Sequence, residues 1–213
     1  FGCGAKRINK FVNKSGATVL SPLDSDAVEM IEGMYFKRDA ENFYQINFEQ
    51  NLRLIRLVTD YLAPARGDAI LELYCGSGNF SLFLAREGAR VTGIESNSAA
   101  VREARANAAL NSISTCRFER ANVNRLDDSI FREKYHGVLL NPPRTGCPRE
   151  LLANVASAQP GVIVYVSCNP ATLSRDLREL VARGYMIREI QPVDMFPQTY
   201  HIETVVKLVR ERH

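Results

Sequence analysis

The chain has 213 residues, 46% hydrophobic and 24% charged, which gives a globular protein with apolar content for one full core of the α/β size. A net charge of +3 and an isoelectric point near 8.6 permit an anionic partner, but fall short of the value above ~9 that marks a nucleic-acid-binding domain on charge alone. No apolar run approaches the ~18 to 20 residues of a membrane helix, and the five cysteines, at 3, 75, 116, 147 and 168, include no Cys-x-x-Cys pair and no histidine at ligand spacing. Zinc and iron–sulfur sites are therefore not encoded here, no membrane contact is expected, and a scattered odd set of thiols suits the reducing cytoplasm.

The chain opens on Phe1 with no basic and apolar leader, and we expect it to be a segment of something longer. Residues 1–47 are its least regular part. Lys6, Arg7, Lys10 and Lys14 lie among Gly, Asn and Ser, and a short strand pattern covers Ala17 to Leu20, so this stretch reads as an arm or hairpin ahead of a catalytic domain at 48–213. A helix is expected from Phe48 to Leu62, where Phe48, Leu52, Ile55, Val58 and Leu62 share one face and Pro64 and Gly67 stop it. From Ala69 onward strands and helices alternate. Strands are expected at 69–73, 90–95, 116–119, 137–140, 162–166, 186–192 and 204–209, with helices at 80–87, 98–110, 148–156 and 171–183. That order predicts an α/β fold built on a doubly wound, mainly parallel sheet of seven strands.

The strand ends carry the chemistry. Gly76-Ser77-Gly78 follows one strand and opens a helix, so backbone amides and the helix N-terminus can approach a polar ligand closely. Glu95 lies 19 residues past Gly76 at the end of the next strand, where a carboxylate can accept hydrogen bonds from ribose hydroxyls. The third glycine of the dinucleotide fingerprint is missing, because Phe80, Ser81 and Leu82 follow Asn79. S-adenosylmethionine therefore fits better than NAD. Asn122, just past the third strand, is placed either to meet an adenine edge or to serve as a loop asparagine. Asn141-Pro142-Pro143-Arg144 leaves its strand with a backbone fixed by two prolines, which holds the Asn141 amide at the carboxyl edge of the sheet or merely makes a rigid capped turn. Cys168, in Ser167-Cys168-Asn169-Pro170, sits between a buried strand and a helix start, on the ligand side of such a sheet. Cys75, beside the glycine loop, reads as packing.

These motifs resemble those of the S-adenosylmethionine-dependent RNA 5-methyluridine methyltransferases, which act on uracil carbon-5 in tRNA and 23S rRNA. The resemblance runs from about Met34 to Val209 and rests on Phe-Tyr-Gln-Ile-Asn at 43–47, Leu-Tyr-Cys-Gly-Ser-Gly-Asn-Phe at 73–80, Ser-Cys-Asn-Pro-Ala-Thr at 167–172 and Asp-Met-Phe-Pro-Gln-Thr-Tyr-His-Ile-Glu-Thr at 194–204. It implies a class I methyltransferase, Rossmann-like fold and S-adenosylmethionine as cofactor, with S-adenosylhomocysteine as product. It further implies cofactor contacts at Gln45, Tyr74, Asn79, Glu95 and Asn122, a nucleophile at Cys168 and a general base at Glu203. The chain departs from the family pattern at Asn141, where Asp usually precedes Pro-Pro-Arg.

The implied chemistry demands such a set. Uracil carbon-5 is a weak nucleophile until a thiolate adds at carbon-6 and turns the ring into an enolate; after methylation a base must remove the carbon-5 proton so that the thiolate is expelled. Glu203 suits that base if residues 195–201 fold over the site, and His201 competes for the role. A target uridine must be unpaired or flipped, with Tyr44, Phe196 and Tyr200 as stacking candidates and the arm lysines and Arg144 as phosphate contacts. The expected partner is tRNA or 23S rRNA, bound by a monomer. Two rivals stand beside this reading: an Asn-Pro-Pro amino-methyltransferase, against which Arg144 in the aromatic's place argues, and a non-catalytic RNA-binding relative, against which Cys168 and Glu203 argue.

Overall fold

The computed structural model describes residues 8–12, 18–22, 27–38, 47–195 and 202–211. Four short strands come first: β1 (Ile8–Val12), β2 (Thr18–Pro22), β3 (Ala27–Ile31) and β4 (Met34–Arg38), paired antiparallel in chain order. The sequence pattern shows one of these, around Ala17 to Leu20; the structure adds the other three and makes a sheet where an arm or hairpin is expected. One of the missing turns does carry a signal. Glu32 and Gly33 both have positive φ, 46° and 81°, as a two-residue hairpin turn between alternating strands requires. Ile31, Met34 and Phe36 are buried by this hairpin, and the Phe36 ring stacks on Phe83 at 5.8 Å between centroids.

The remainder alternates as expected: α1 (Phe48–Leu62), β5 (Ala69–Leu73), α2 (Ser81–Arg86), β6 (Arg90–Glu95), α3 (Ser98–Leu110), β7 (Cys116–Arg120), β8 (Gly137–Leu140), α4 (Arg149–Ser157), β9 (Val162–Ser167), α5 (Pro170–Val181), β10 (Tyr185–Asp194) and β11 (Ile202–Arg210). Seven strands form one sheet in the order β10-β11-β9-β8-β5-β6-β7. Every neighbouring pair is parallel except those made by β11, which runs against β9 and β10. This is the doubly wound, Rossmann-like sheet that the sequence predicts. The chain steps outward from β5 through β6 to β7, then returns to the other side of β5 with β8. Such a reversal opens a crevice at the carboxyl ends of the central strands.

Alternation along each strand feeds two cores. Ile70, Leu139, Val164 and Val205 face one side with Leu54, Val58 and Leu62 of α1 and Phe83 of α2. Leu71, Val138, Ile163 and Val206 face the other with Leu152 of α4 and Leu177 of α5. α1 starts where the Asn47 side chain accepts from Gln50 N–H at 3.2 Å, and the Asn47 amide donates to the Met195 carbonyl at 3.0 Å. Its N-terminal end is thereby fastened to the end of β10, at the same edge as the crevice.

Candidate active site

Three strand ends build the first half of the site. After β5 the backbone turns through Tyr74, Gly76 and Gly78, all with positive φ (64°, 53° and 85°). A Cβ at Gly76 would meet nothing within 4 Å, so the backbone there faces open space, whereas at Gly78 it would come within 3.1 Å of the Phe118 ring. Gly76 N–H donates to Glu95 Oε2 at 3.2 Å, and Glu95 Oε1 accepts from Asn97 N–H at 2.8 Å and the Ser96 hydroxyl at 3.1 Å. The carboxylate is thus held level with the glycine loop at the end of β6, as a ribose acceptor must be. An open glycine backbone beside a fixed carboxylate fits a nucleoside with a polar tail.

The neighbouring asparagines divide into those with partners and one without. Asn79 and Asn51 exchange both amide hydrogen bonds, at 3.1 and 2.9 Å, so the Asn79 side chain binds α1 to the loop, a task the sequence does not announce. Tyr74 donates its hydroxyl to Asn124 Oδ1 at 2.6 Å, while Asn122 Oδ1 caps the short turn Val123–Arg125 by accepting from Asn124 N–H at 3.1 Å. The capping role open to Asn122 is therefore realised, with its Nδ2 still pointing to no partner among the described residues. Asn141 N–H donates to the Leu73 carbonyl at 3.3 Å, and its side-chain amide has no partner among the described residues.

The second half lies one and two strands away. Ser167 and Asn169 bracket Cys168: the Ser167 hydroxyl oxygen accepts from Asn169 N–H at 3.1 Å, Asn169 Oδ1 caps α5 by accepting from Ala171 N–H at 3.0 Å, and Asn169 Nδ2 donates to the Arg144 carbonyl at 3.1 Å. Pro170 fills the first helical position, where a missing N–H costs nothing. In the β9–β11 ladder Thr204 pairs with Ser167. Glu203 is the next residue of β11 and shares a face with Val205, and Cys168 is the first residue past β9, so the two lie at the same end of neighbouring strands. Leu140 pairs with Tyr165 in the β8–β9 ladder, so Asn141 shares that face as well. Burial pushes the Glu203 carboxyl up to about 7, against the opposing pull of the Arg144 charge.

Tyr74, Gly76, Asn79, Glu95, Asn122, Asn141, Cys168 and Glu203 therefore all lie along one edge of the sheet. Gln45, with Tyr44, Phe196, Tyr200 and His201, lies outside the described residues, as do Lys6, Arg7 and Lys14. Asn51 and Asn124 are supporting residues that no sequence motif singles out, and Thr172, the last residue of the Ser-Cys-Asn-Pro-Ala-Thr motif, supports the site by donating to the Arg144 carbonyl. Among the described residues no group of three or more His, Cys, Asp or Glu side chains could hold a metal ion, and no helix is long and apolar enough to cross a membrane.

An uncharacterized RNA methyltransferase of Gloeobacter violaceus is 42% identical over 182 residues, covering 85% of this chain and 39% of its own length. The 23S rRNA (uracil(1939)-C(5))-methyltransferase RlmD of a Marinomonas species is 38% identical over 177 residues, covering 83% and 40%. The crystal structure of Pyrococcus abyssi tRNA (uracil-54, C5)-methyltransferase in complex with S-adenosyl-L-homocysteine superimposes with a TM-score of 0.78 at 35% identity, covering 87% of this chain and 45% of that one. The chain thus spans less than half the length of these relatives. The family description tRNA (Uracil-5-)-methyltransferase matches residues 25–211, which takes in both halves of the site, and the chain belongs to that family.

Proposed function

We propose that this segment transfers a methyl group from S-adenosylmethionine to carbon-5 of a uridine in tRNA or rRNA, with Cys168 as nucleophile and Glu203 as base. The observation that carries the reading is that β11 runs beside β9 with Thr204 opposite Ser167, which leaves Cys168, the residue after β9, and Glu203, the residue before Thr204, at the same end of neighbouring strands. Gly76, Glu95 and Tyr74, with Asn122 and Asn141, would hold the cofactor, and Gln45 is assigned to it by family resemblance. When bound it supplies an electrophilic methyl group on a sulfonium. Cys168 adds to uracil carbon-6 and makes carbon-5 nucleophilic; Asn141, between the glycine loop and the thiol, offers an amide to either ligand. Once carbon-5 carries the methyl group, Glu203 takes its proton, the electron pair reforms the ring double bond, and the Cys168 sulfur leaves. A carboxyl lifted to about 7 is matched to accepting and releasing a proton near neutrality.

The order of steps gives the test. Glu203→Gln should still allow thiol addition and methyl transfer, leaving the protein covalently joined to methylated RNA. An adduct that survives denaturing electrophoresis, carries label from the cofactor methyl group, and vanishes when Cys168→Ala is added is the expected result. Normal turnover without adduct would move the base role to His201 or water.

A further inference from the structure

The first turn of α1 leaves one polar group unexplained. Gln50 gives its backbone N–H to the Asn47 cap, but its side-chain Oε1 is buried and meets no donor among the described residues. A buried acceptor of this kind is rare and calls for a donor brought by something else. The helix fixes where that donor comes from. α1 starts at the crevice edge, where the Asn47 amide donates to the Met195 carbonyl, and ends at the opposite edge, where the Leu62 carbonyl meets His136 Nε2 just before β8. Tyr61 marks the side of α1 that faces β11, for the Lys207 ammonium lies 5.6 Å from its ring centroid. Gln50 stands eleven residues before Tyr61, three turns and about 20° of rotation, so the two side chains share one line of the helix. The rise between them is about 17 Å, which is about five residues of a strand. Counted back from Lys207 along β11, that distance brings Gln50 level with Ile202 and Glu203. Glu203 lies on the side of the sheet that α1 covers, since Val205, two residues on, packs in one core with Leu54.

We propose that Gln50 is a specificity-determining residue for the target base: its Oε1 accepts the N3–H of the uracil, and its Nε2 donates to a flanking carbonyl oxygen of the ring. This rests on the reading that the base enters at the Cys168 and Glu203 end of the crevice. Uracil fits because its imide edge presents one N–H between two carbonyl oxygens, and a carboxamide both accepts and donates in one plane. The helix also separates this task from the cofactor. Asn51, one residue on and about 100° round, is turned to Asn79 of the glycine loop, whereas Gln50 is turned to the strand ends beyond it. Carbon-6 lies across the ring from N3, so a base gripped at N3 leaves its reacting side free for the thiol.

The test uses the whole chain saturated with S-adenosylhomocysteine and two single-stranded RNA probes, identical except that their one uridine is replaced by N3-methyluridine in the second. Affinities are read by fluorescence anisotropy. Methylation at N3 removes the donor that Gln50 meets, so the wild type should bind the uridine probe about tenfold more tightly, the scale of a paired base-edge contact. Gln50→Leu should bind both probes alike, at the weaker affinity. Leucine is close in volume, removes the unpaired buried oxygen and keeps the backbone N–H that Asn47 caps, so this variant should melt no earlier than the wild type and bind S-adenosylhomocysteine equally well by calorimetry. A preference for uridine that survives in Gln50→Leu overturns the proposal and passes the N3–H to another group such as Asn141. A loss of S-adenosylhomocysteine affinity overturns it in favour of a cofactor contact. A wild type that binds both probes alike overturns it together with the uridine reading. No methyl transfer is measured, so a wild type that discriminates while Glu203→Gln forms no adduct separates recognition of the base from the proposed chemistry.

Discussion

Glu72 lies on β5 with 0% exposure, its Oε2 accepting from the Ser81 hydroxyl and its Oε1 without a partner among the described residues. The run Leu71-Glu72-Leu73 hides this in sequence, since a lone acid in a strand usually faces water; here both faces of β5 are covered, so every one of its side chains is buried. Burial pushes the carboxyl from 4.5 up to about 8. The folded chain therefore binds a proton that the unfolded chain releases. Stability from this group is fully present below about pH 4.5 and is lost as pH rises through about 8, with a limiting slope of about 1.4 kcal/mol per unit. Glu72→Gln cannot ionise, so thermal unfolding followed between pH 5 and 9 should show the wild type losing stability against the variant as pH rises. Parallel curves would mean that Glu72 is already ionised in the folded protein.

At the scale of elements, the strand–turn–helix units were legible because each ends in residues with a local mechanical reason. Glycines supply the left-handed turn after β5, prolines stiffen the exit from β8, and Asn169-Pro170 caps and starts α5 one residue earlier than periodicity alone indicates. β10 runs two residues past Pro192, the last residue of the expected strand, to Asp194, because an edge strand tolerates a residue that cannot donate. The contacts between elements were not legible. Nothing near Asn51 shows that its amide, 1% exposed, meets Asn79 across 28 residues. Asn51→Ala strands the Asn79 amide in a half-buried place, at a cost of about 1–3 kcal/mol by the usual penalty for an unmade hydrogen bond. Because Asn79 belongs to the glycine loop, cofactor affinity should fall along with melting temperature. A variant that melts earlier yet binds S-adenosylhomocysteine as tightly as wild type would show that α1 steadies the fold without shaping the loop.

Across the whole molecule, the N-terminal sheet is tied to α3 by two asparagines of one helix face, and one of them reaches on to the glycine loop. Asn107 of α3 and its C-cap Asn111 stand one helical turn apart, a rise of about 6 Å, which matches the roughly 6.6 Å between alternate residues of a strand. Each amide accordingly pairs with β4 as a neighbouring strand would. Tyr35 N–H donates to Asn111 Oδ1 and the Tyr35 carbonyl accepts from its Nδ2, both at 2.7 Å; Lys37 N–H donates to Asn107 Oδ1 at 2.7 Å and the Lys37 carbonyl accepts from its Nδ2 at 3.4 Å. The open edge of β4 is thereby closed by side chains. Asn107, 0% exposed, does one thing more: its Nδ2 also donates to the Ser77 carbonyl in the glycine loop at 3.3 Å. The two residues can thus be separated by experiment. Asn111→Ala should speed hydrogen exchange at the Tyr35 amide and leave cofactor affinity unchanged, since its bonds end at the sheet and its own helix. Asn107→Ala should speed exchange at Lys37 and also weaken S-adenosylhomocysteine binding, because Ser77 loses a buried donor and the loop loses a brace. Calorimetric titration beside amide exchange decides it: equal affinities in the two variants would mean that the glycine loop holds its shape without the N-terminal sheet, and weaker binding in Asn107→Ala alone would make that sheet part of the cofactor site.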